Sequence, residues 1–178
     1  SVYSFQALVM LLQFVASEEA LQGIVFWTMG SLARANWTTV AVMAAAIAVT
    51  VPFSMRDAWK LTAVRLGEER AASFGIEVRR LRLVSLLRVS ALAALAVSFV
   101  GTIGFVGLVA PHIARLLLGE DHRYYLPGSA LAGALILSLA SVASKTVLPG
   151  ALIPVGIVTS LVGIPFFLTI VVRALKRA

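Results

Sequence analysis

The stretch DAWKLTAVRLGEERAASFGIEVRRLR, residues 57–82, separates two long apolar parts of the chain. It holds four of the eight acidic residues and six of the fifteen basic ones, namely Lys60, Arg65, Arg70, Arg79, Arg80 and Arg82. The chain as a whole is 60% hydrophobic and 13% charged, with a mean hydropathy of +0.98. Such a polar segment cannot lie within hydrocarbon, whereas the runs beside it approach the length that a bilayer requires. The sequence therefore predicts an integral membrane protein with this segment at one membrane surface.

The apolar runs predict an all-α polytopic bundle of about five membrane spans. We expect these spans near residues 1–15, 35–55, 89–101, 127–144 and 154–172, the first cut short at its front and the last bent near Pro165. A short re-entrant or surface helix is expected over 24–37, because Trp27 and Trp37 suit a membrane interface. Another short helix is expected from Pro111 to Leu118, with the proline in its first turn. We expect a turn over residues 119–128. A loop is expected over residues 145–154, where Pro149-Gly150 is a turn signal.

The polar segment has the residue pattern of two short helices. Asp57 is suited to capping a first helix, which Gly67 interrupts. Glu68 and Glu69 begin a second helix, where the helix dipole favours acidic side chains, and Gly75 ends it. Apolar residues such as Leu66 and Phe74 accompany these charges, which indicates a surface for a partner rather than a solvated connection.

Charge counting predicts the orientation of the bundle. If residues 57–82 are cytoplasmic, alternating spans place thirteen of the fifteen Lys and Arg inside and only Arg34 and Lys145 outside. The opposite topology would violate the positive-inside rule. The same rule accounts for the net charge of +7 and the pI near 10.8, so we expect no nucleic acid partner.

The sequence shows no residue pattern that indicates catalysis. A phosphate loop of the GxxxxGK[ST] form is missing, so this chain is not expected to bind ATP. His112 and His122 stand ten residues apart without cysteines or paired carboxylates, so we expect no metal site, no cofactor and no catalytic residue. An ion-coupled secondary transporter remains an alternative, although His112 is the only ionisable candidate within the long apolar run. An intramembrane hydrolase would depend on Ser31 and the remote His112, which is too little for a catalytic constellation.

Four stretches resemble one known family. They are WTMGSLARANW (27–37), LGEERAASFGIEVRR (66–80), GTIGFVGLVAPHIARLLLGEDHRYYLPGSALAGA (101–134) and PVGIVTSLVGIPFFL (154–168). In order and spacing they resemble the permease subunits of the ABC importers for iron-siderophores, haem and cobalamin, the type II importers. The resemblance implies a ten-helix fold about twice as long as this chain. Residues 1–178 would then be one N-terminally incomplete permease domain, its back half, with Ser1 near the start of the fifth helix.

The resemblance also implies partners and residue roles. Members lie in the prokaryotic cytoplasmic (inner) membrane, surrounded by lipid, as two permease copies with ABC ATPase subunits below and an external substrate-binding protein above. The ATPase-coupling unit would comprise Leu66, Gly67, Glu68, Glu69, Arg70 and Gly75, and the inner-surface turn Asp121, His122 and Arg123. The signature helix would carry Pro111, His112 and Arg115, which we interpret as packing residues. Lys145 and Arg34 would bind the external substrate-binding protein. Ser141, Lys145 and Leu152 replace a common aspartate, arginine and glutamate, and lysine lacks the bidentate fork of arginine.

Overall fold

The computed structural model describes residues 2–33, 35–147 and 153–175. Within these ranges the chain forms eight α-helices and no strand, which confirms the all-α prediction. The helices are α1 (Val2–Val15), α2 (Glu18–Thr28), α3 (Trp37–Arg65), α4 (Glu68–Ser73), α5 (Val78–Val100), α6 (Val106–Leu118), α7 (His122–Thr146) and α8 (Val155–Leu175). Of the described helices, α3, α5 and α7 are long and apolar enough to cross a membrane. The apolar parts of α1, α6 and α8 are shorter.

Helix α3 is longer than the sequence pattern predicts. It has 29 residues, or about 43 Å at 1.5 Å per residue, and runs through Pro52 into the polar segment. Its cap is Asn36, whose Oδ1 accepts a hydrogen bond of 2.8 Å from the Thr39 backbone N–H. The predicted cap at Asp57 and the separate first short helix are therefore wrong. Asp57 lies inside α3, where its carboxylate binds side-chain cations instead of free backbone N–H groups.

Helix α2 also differs from the prediction. The expected helix over 24–37 is wrong in both bounds, since α2 begins at Glu18 and ends at Thr28. The Ser17 hydroxyl caps it by accepting from Ala20 N–H at 3.4 Å, and Trp37 is already the first residue of α3. Its eleven residues span about 16 Å, which is too short to cross a bilayer.

The prolines of α6 and α7 lie inside their helices. Pro111 and Pro127 are each the sixth residue, so the predicted first-turn position of Pro111 is wrong. The predicted turn over 119–128 already ends at Asp121, whose carboxylate caps α7 by accepting from Arg123 N–H at 3.0 Å. At the far end of α7, Lys145 lies in the last helical turn instead of in a loop. Pro149-Gly150 lies outside the described residues.

Small residues bring three backbone segments together near the start of α8. A Cβ added to Gly101 would lie 2.0 Å from the Trp27 carbonyl oxygen, and one added to Gly156 would lie 2.1 Å from the Met29 carbonyl oxygen. Gly30 also meets the backbone of residue 102 closely. We call this contact of Gly30, Gly101 and Gly156 the glycine junction. The missing side chains allow these backbone segments to approach closely.

The start of α6 depends on a residue in an unusual conformation. Phe105 has a φ of 65°, the only positive value among the described non-glycine residues. Such a conformation costs about 1–3 kcal/mol and persists where the surroundings hold it. A Cβ on Gly163 of α8 would lie 2.3 Å from the Cβ of Phe105, so the phenylalanine occupies the space that this glycine leaves free.

Candidate functional site

The end of the bundle that carries residues 57–82 we call the basic end. There α3 stops at Arg65, and Gly67 turns the chain with a φ of 125° and a ψ of 136°, which only glycine adopts readily. The six-residue α4 follows, and Gly75, with a φ of 77°, lies just beyond its end. The predicted helix break at Gly67 and the helix end at Gly75 are confirmed.

A small apolar core fixes this turn on the bundle. Ala71 of α4, Ile76 in the connection after α4 and Leu81 of α5 are buried, and Leu61 and Val64 of α3 pack against them. Burial of a large aliphatic side chain is worth about 1.5–3 kcal/mol, so Ile76 and Leu81 hold the chain after α4 against the bundle. The turn is therefore a defined structural unit that α3 and α5 support together.

Several side chains of this unit point away from the core. Leu66 is 68% exposed and Phe74 is 72% exposed, and Glu69 and Arg70 are exposed between them. We call Leu66, Glu69, Arg70 and Phe74 the exposed tip. Glu68 has a different environment, because its carboxylate pairs with Arg82 of α5. Both glutamates are exposed, but among the described residues only Glu68 has an ion-pair partner within the chain.

The connection between α6 and α7 rests on the end of α3. The Thr62 hydroxyl oxygen accepts a hydrogen bond of 3.0 Å from the His122 backbone N–H and lies 3.2 Å from Nδ1 of the same histidine. It also lies 3.4 Å from Asp121 Oδ1. Two of the three predicted turn residues therefore face α3, and only Arg123 is exposed. Thr62 carries no sequence signal of this role, because its partner lies sixty positions away.

A pair of ionic contacts adds to this connection. Arg65 lies 2.7 Å from a Glu120 carboxylate oxygen, and Arg115 Nε lies 3.6 Å from the other. The Arg65 guanidinium lowers the pKa of Glu120 below its ordinary value. The contribution of this pairing to stability is present above the pKa of the unfolded chain and disappears as the pH falls through the lowered pKa. Sequence reasoning missed both Arg65 and Glu120.

His112 takes part in packing between helices. Its ring meets the ring of Phe166 of α8 edge to face, with centroids 5.7 Å apart. Arg115, one turn further along α6, turns toward Glu120 instead. Across residues 2–33, 35–147 and 153–175, no group of three or more His, Cys, Asp or Glu is placed to hold a metal ion.

Lys145 lies at the opposite end of the bundle. It borders a cavity of about 250 Å³ whose polar lining includes Ser31, Ser141 and Ser144. The lysine itself is exposed, so its ammonium is accessible from outside the cavity. Arg34 and Leu152, the other outer positions in the sequence prediction, lie outside the described residues.

The chain is similar in sequence to known permease proteins. The chain is 40% identical over 167 residues to the hemin transport system permease protein HmuU of Yersinia pestis, covering 94% of this chain and 50% of that protein. It is 36% identical over 174 residues to the molybdate import system permease protein MolB of Haemophilus influenzae, covering 97% and 51%. The chain thus spans about half the length of these curated relatives.

A solved structure has the same fold. It is a metal-chelate type ABC transporter in an inward-facing conformation, and it matches with a TM-score of 0.88 at 35% identity, over 94% of this chain and 56% of that one. The bundle and its membrane-length helices are those of a multi-pass membrane protein. The chain belongs to the FecCD transport family, whose model matches residues 2–173. These relatives favour an importer permease over an ion-coupled secondary transporter.

Proposed function

We propose that this chain works as the permease subunit of an ATP-driven importer in the prokaryotic inner membrane. The observation that carries the proposal is the exposed tip, a rigid turn whose outward side chains include two large apolar residues. Leu66 and Phe74 contact water in the isolated chain, a state that burial against a partner would relieve. Since the sequence lacks a phosphate loop, an ABC ATPase subunit would be that partner.

The contacts of the basic end suggest how movement of the ATPase would reach the membrane. Leu66, Glu69 and Arg70 would contact the ATPase, while the Glu68–Arg82 pair and the core around Ala71 keep α4 fixed to α5. Thr62 and Arg65 connect the end of α3 to the connection between α6 and α7. A displacement of the tip would therefore move α3, α5, α6 and α7 together. His112, Pro111 and Arg115 would serve packing within this unit.

Lys145 supports a second contact on the opposite face. An exposed ammonium beside a pocket that three serines line is suited to a carboxylate of an external substrate-binding protein. Lys145→Glu is expected to weaken binding of that protein by at least tenfold, and Lys145→Arg to preserve it. Equal affinity of the Lys145→Glu variant and the unchanged protein would remove this role.

The cargo we propose is a metal chelate such as an iron-siderophore, haem or cobalamin. The relatives named above include one described for hemin and one for molybdate, so membership of the family does not fix the cargo. A second copy of the permease would enclose the path between the two chains. Uptake assays with the cognate binding protein and a panel of chelates and oxyanions would identify the substrate.

Charge reversal at Glu69 tests the proposed function. The permease is co-expressed with its ATPase, and ATP hydrolysis and substrate uptake are measured in proteoliposomes. Glu69→Lys is expected to lower uptake at least tenfold because it reverses a charge on the exposed tip. Glu19→Lys makes the same change on exposed residue 19 of α2 and is expected to leave uptake within twofold. Normal uptake by a stably expressed Glu69→Lys variant would contradict the proposal.

A further inference from the structure

A polar cavity lies beside the exposed tip and is not explained by ATPase coupling. Its volume is about 650 Å³, and it is enclosed by the end of α3, the segment after α4 and the first turns of α5. Three basic side chains, Lys60, Arg80 and Arg88, line it together with the aromatic residues Trp59 and Phe74. The acidic groups at its wall are Asp57 and Glu77.

The acidic groups leave one basic side chain unmatched. Asp57 accepts from Lys60 Nζ at 2.9 Å and from Arg88 at 2.8 Å, so one carboxylate serves two cations. Among the described residues, no carboxylate lies within ion-pair distance of the Arg80 guanidinium, although Glu77 borders the same cavity. The cavity therefore has an excess of positive charge that would attract an anion.

The position of the cavity along the helices corresponds to a membrane surface. Arg56 is the first charged residue after the apolar run of α3, and Arg88 is the last before that of α5. Both guanidinium groups lie over the Phe53 ring, 5.9 Å and 5.8 Å from its centroid. Trp59 is 45% exposed beside them, as is usual for tryptophan at headgroup level. Basic pockets between transmembrane helices on the cytoplasmic side are suited to anionic lipid headgroups.

We propose that this cavity binds the phosphate group of an anionic phospholipid from the inner leaflet. Arg80 and Lys60 would contact the phosphate oxygens. Trp59 would contact the glycerol and the upper acyl chains, which free phosphate lacks. The lipid would thereby occupy the space between α3 and α5 and support the exposed tip from the membrane side. This proposal concerns lipid and does not depend on the transported substrate.

Lipid competition with two matched arginine variants tests the site. The purified full-length permease is incubated with equal amounts of phosphatidylglycerol and phosphatidylcholine, and the bound lipids are counted by native mass spectrometry. The unchanged protein is expected to prefer phosphatidylglycerol, and Arg80→Gln to reduce that preference about fivefold. Arg79→Gln removes the same charge from a neighbouring residue that does not line the cavity, and it is expected to change the preference less than twofold.

Several results would overturn the proposal. Equal effects of Arg79→Gln and Arg80→Gln would show that general surface charge, and not the cavity, attracts the lipid. Displacement of the lipid by inorganic phosphate would identify a free phosphate site. If Arg80→Gln fails to fold, photo-crosslinking of the unchanged protein with an azido-phosphatidylglycerol gives the answer. Crosslinks on the peptide that contains Trp59 and Lys60 support the site, and crosslinks only elsewhere contradict it.

Discussion

Arg65, the last residue of α3, forms an ion pair of 2.7 Å with Glu120 in the connection between α6 and α7. One turn earlier on α3, the Thr62 hydroxyl accepts the His122 backbone N–H at 3.0 Å. These contacts join the first residues of α7 to the part of α3 that leads directly into Gly67 and α4. The exposed tip and the inner ends of α6 and α7 therefore form one connected structure.

Thr62 is expected to matter more for this connection than Arg65 does. Thr62→Val keeps the side-chain shape but leaves the half-buried His122 N–H without its acceptor, at a cost of about 1–3 kcal/mol. Thr62→Ser restores the acceptor and is expected to recover most of the stability. Arg65→Gln should cost less than Thr62→Val, because the Glu120 side chain is 54% exposed and water screens the pair. The stability of all three variants is measured by thermal unfolding in detergent. A Thr62→Val protein as stable as the parent would exclude the role of Thr62 in this connection.

Asp57 is expected to be the most important acidic residue at the basic end. Its side chain is 15% exposed and pairs with Lys60 and Arg88, so Asp57→Asn leaves two cations at the edge of the apolar region. We expect a loss of about 1–3 kcal/mol in the free energy of unfolding. Glu68→Gln is the matched control. Both side chains of its pair with Arg82 are 61% exposed, so its loss should stay below about 1 kcal/mol. The reverse order of the two losses would refute this ranking.

Substitution of Gly67 tests whether the backbone conformation of the turn after α3 affects stability and coupling by itself. Apart from residue 67 and its two chain neighbours, no atom lies within 4 Å of a Cβ built there, so Gly67→Ala introduces strain at a φ of 125° without any tertiary clash. A cost of about 1–3 kcal/mol is expected, together with reduced coupling of ATP hydrolysis to uptake. Gly107→Ala is the control, since it also meets open space but has an ordinary helical φ. It should be neutral or slightly stabilising, because alanine favours helix. Similar behaviour of the two variants would contradict the argument.

The glycine junction is expected to tolerate no side chain. A Cβ at Gly101 would lie 2.0 Å from a backbone oxygen, which cannot rotate away as a side chain can. Gly101→Ala should therefore destabilise the protein by about 1–3 kcal/mol or more. At Gly133 an added Cβ lies 3.6 Å from that of Ala110, an ordinary contact, so Gly133→Ala should be nearly neutral. The thermal unfolding midpoints of the two variants are measured in detergent. Equal midpoints for Gly101→Ala and Gly133→Ala would contradict the prediction.

Local residue chemistry predicted much of this fold. Long uncharged runs identify α3, α5, α7 and α8, because a helix must satisfy its own backbone polar groups in lipid. Gly67 and Gly75 were identified correctly as helix breaks, since their positive φ is a property of the residue type. Such features depend on neighbours in sequence and need no knowledge of distant contacts.

Other features depend on residues that are distant in sequence. The prolines suggested late starts for α6 and α7, yet α6 begins next to Phe105, whose conformation depends on Gly163 some sixty positions away. The local sequence predicts a cap at Asp57, because its partner Arg88, 31 positions away, becomes its neighbour only when α3 and α5 pack. The roles of Thr62 and Glu120 were missed for the same reason.

We propose that the exposed tip faces the cytoplasm and contacts an ATPase. The chain contains no cysteine, so Glu69→Cys supplies a single thiol for labelling and crosslinking. We expect this thiol to resist a membrane-impermeant maleimide in intact cells, to react in inside-out vesicles, and to crosslink to the co-expressed ATPase. Labelling of intact cells, or labelled vesicles without any ATPase crosslink, would contradict the account.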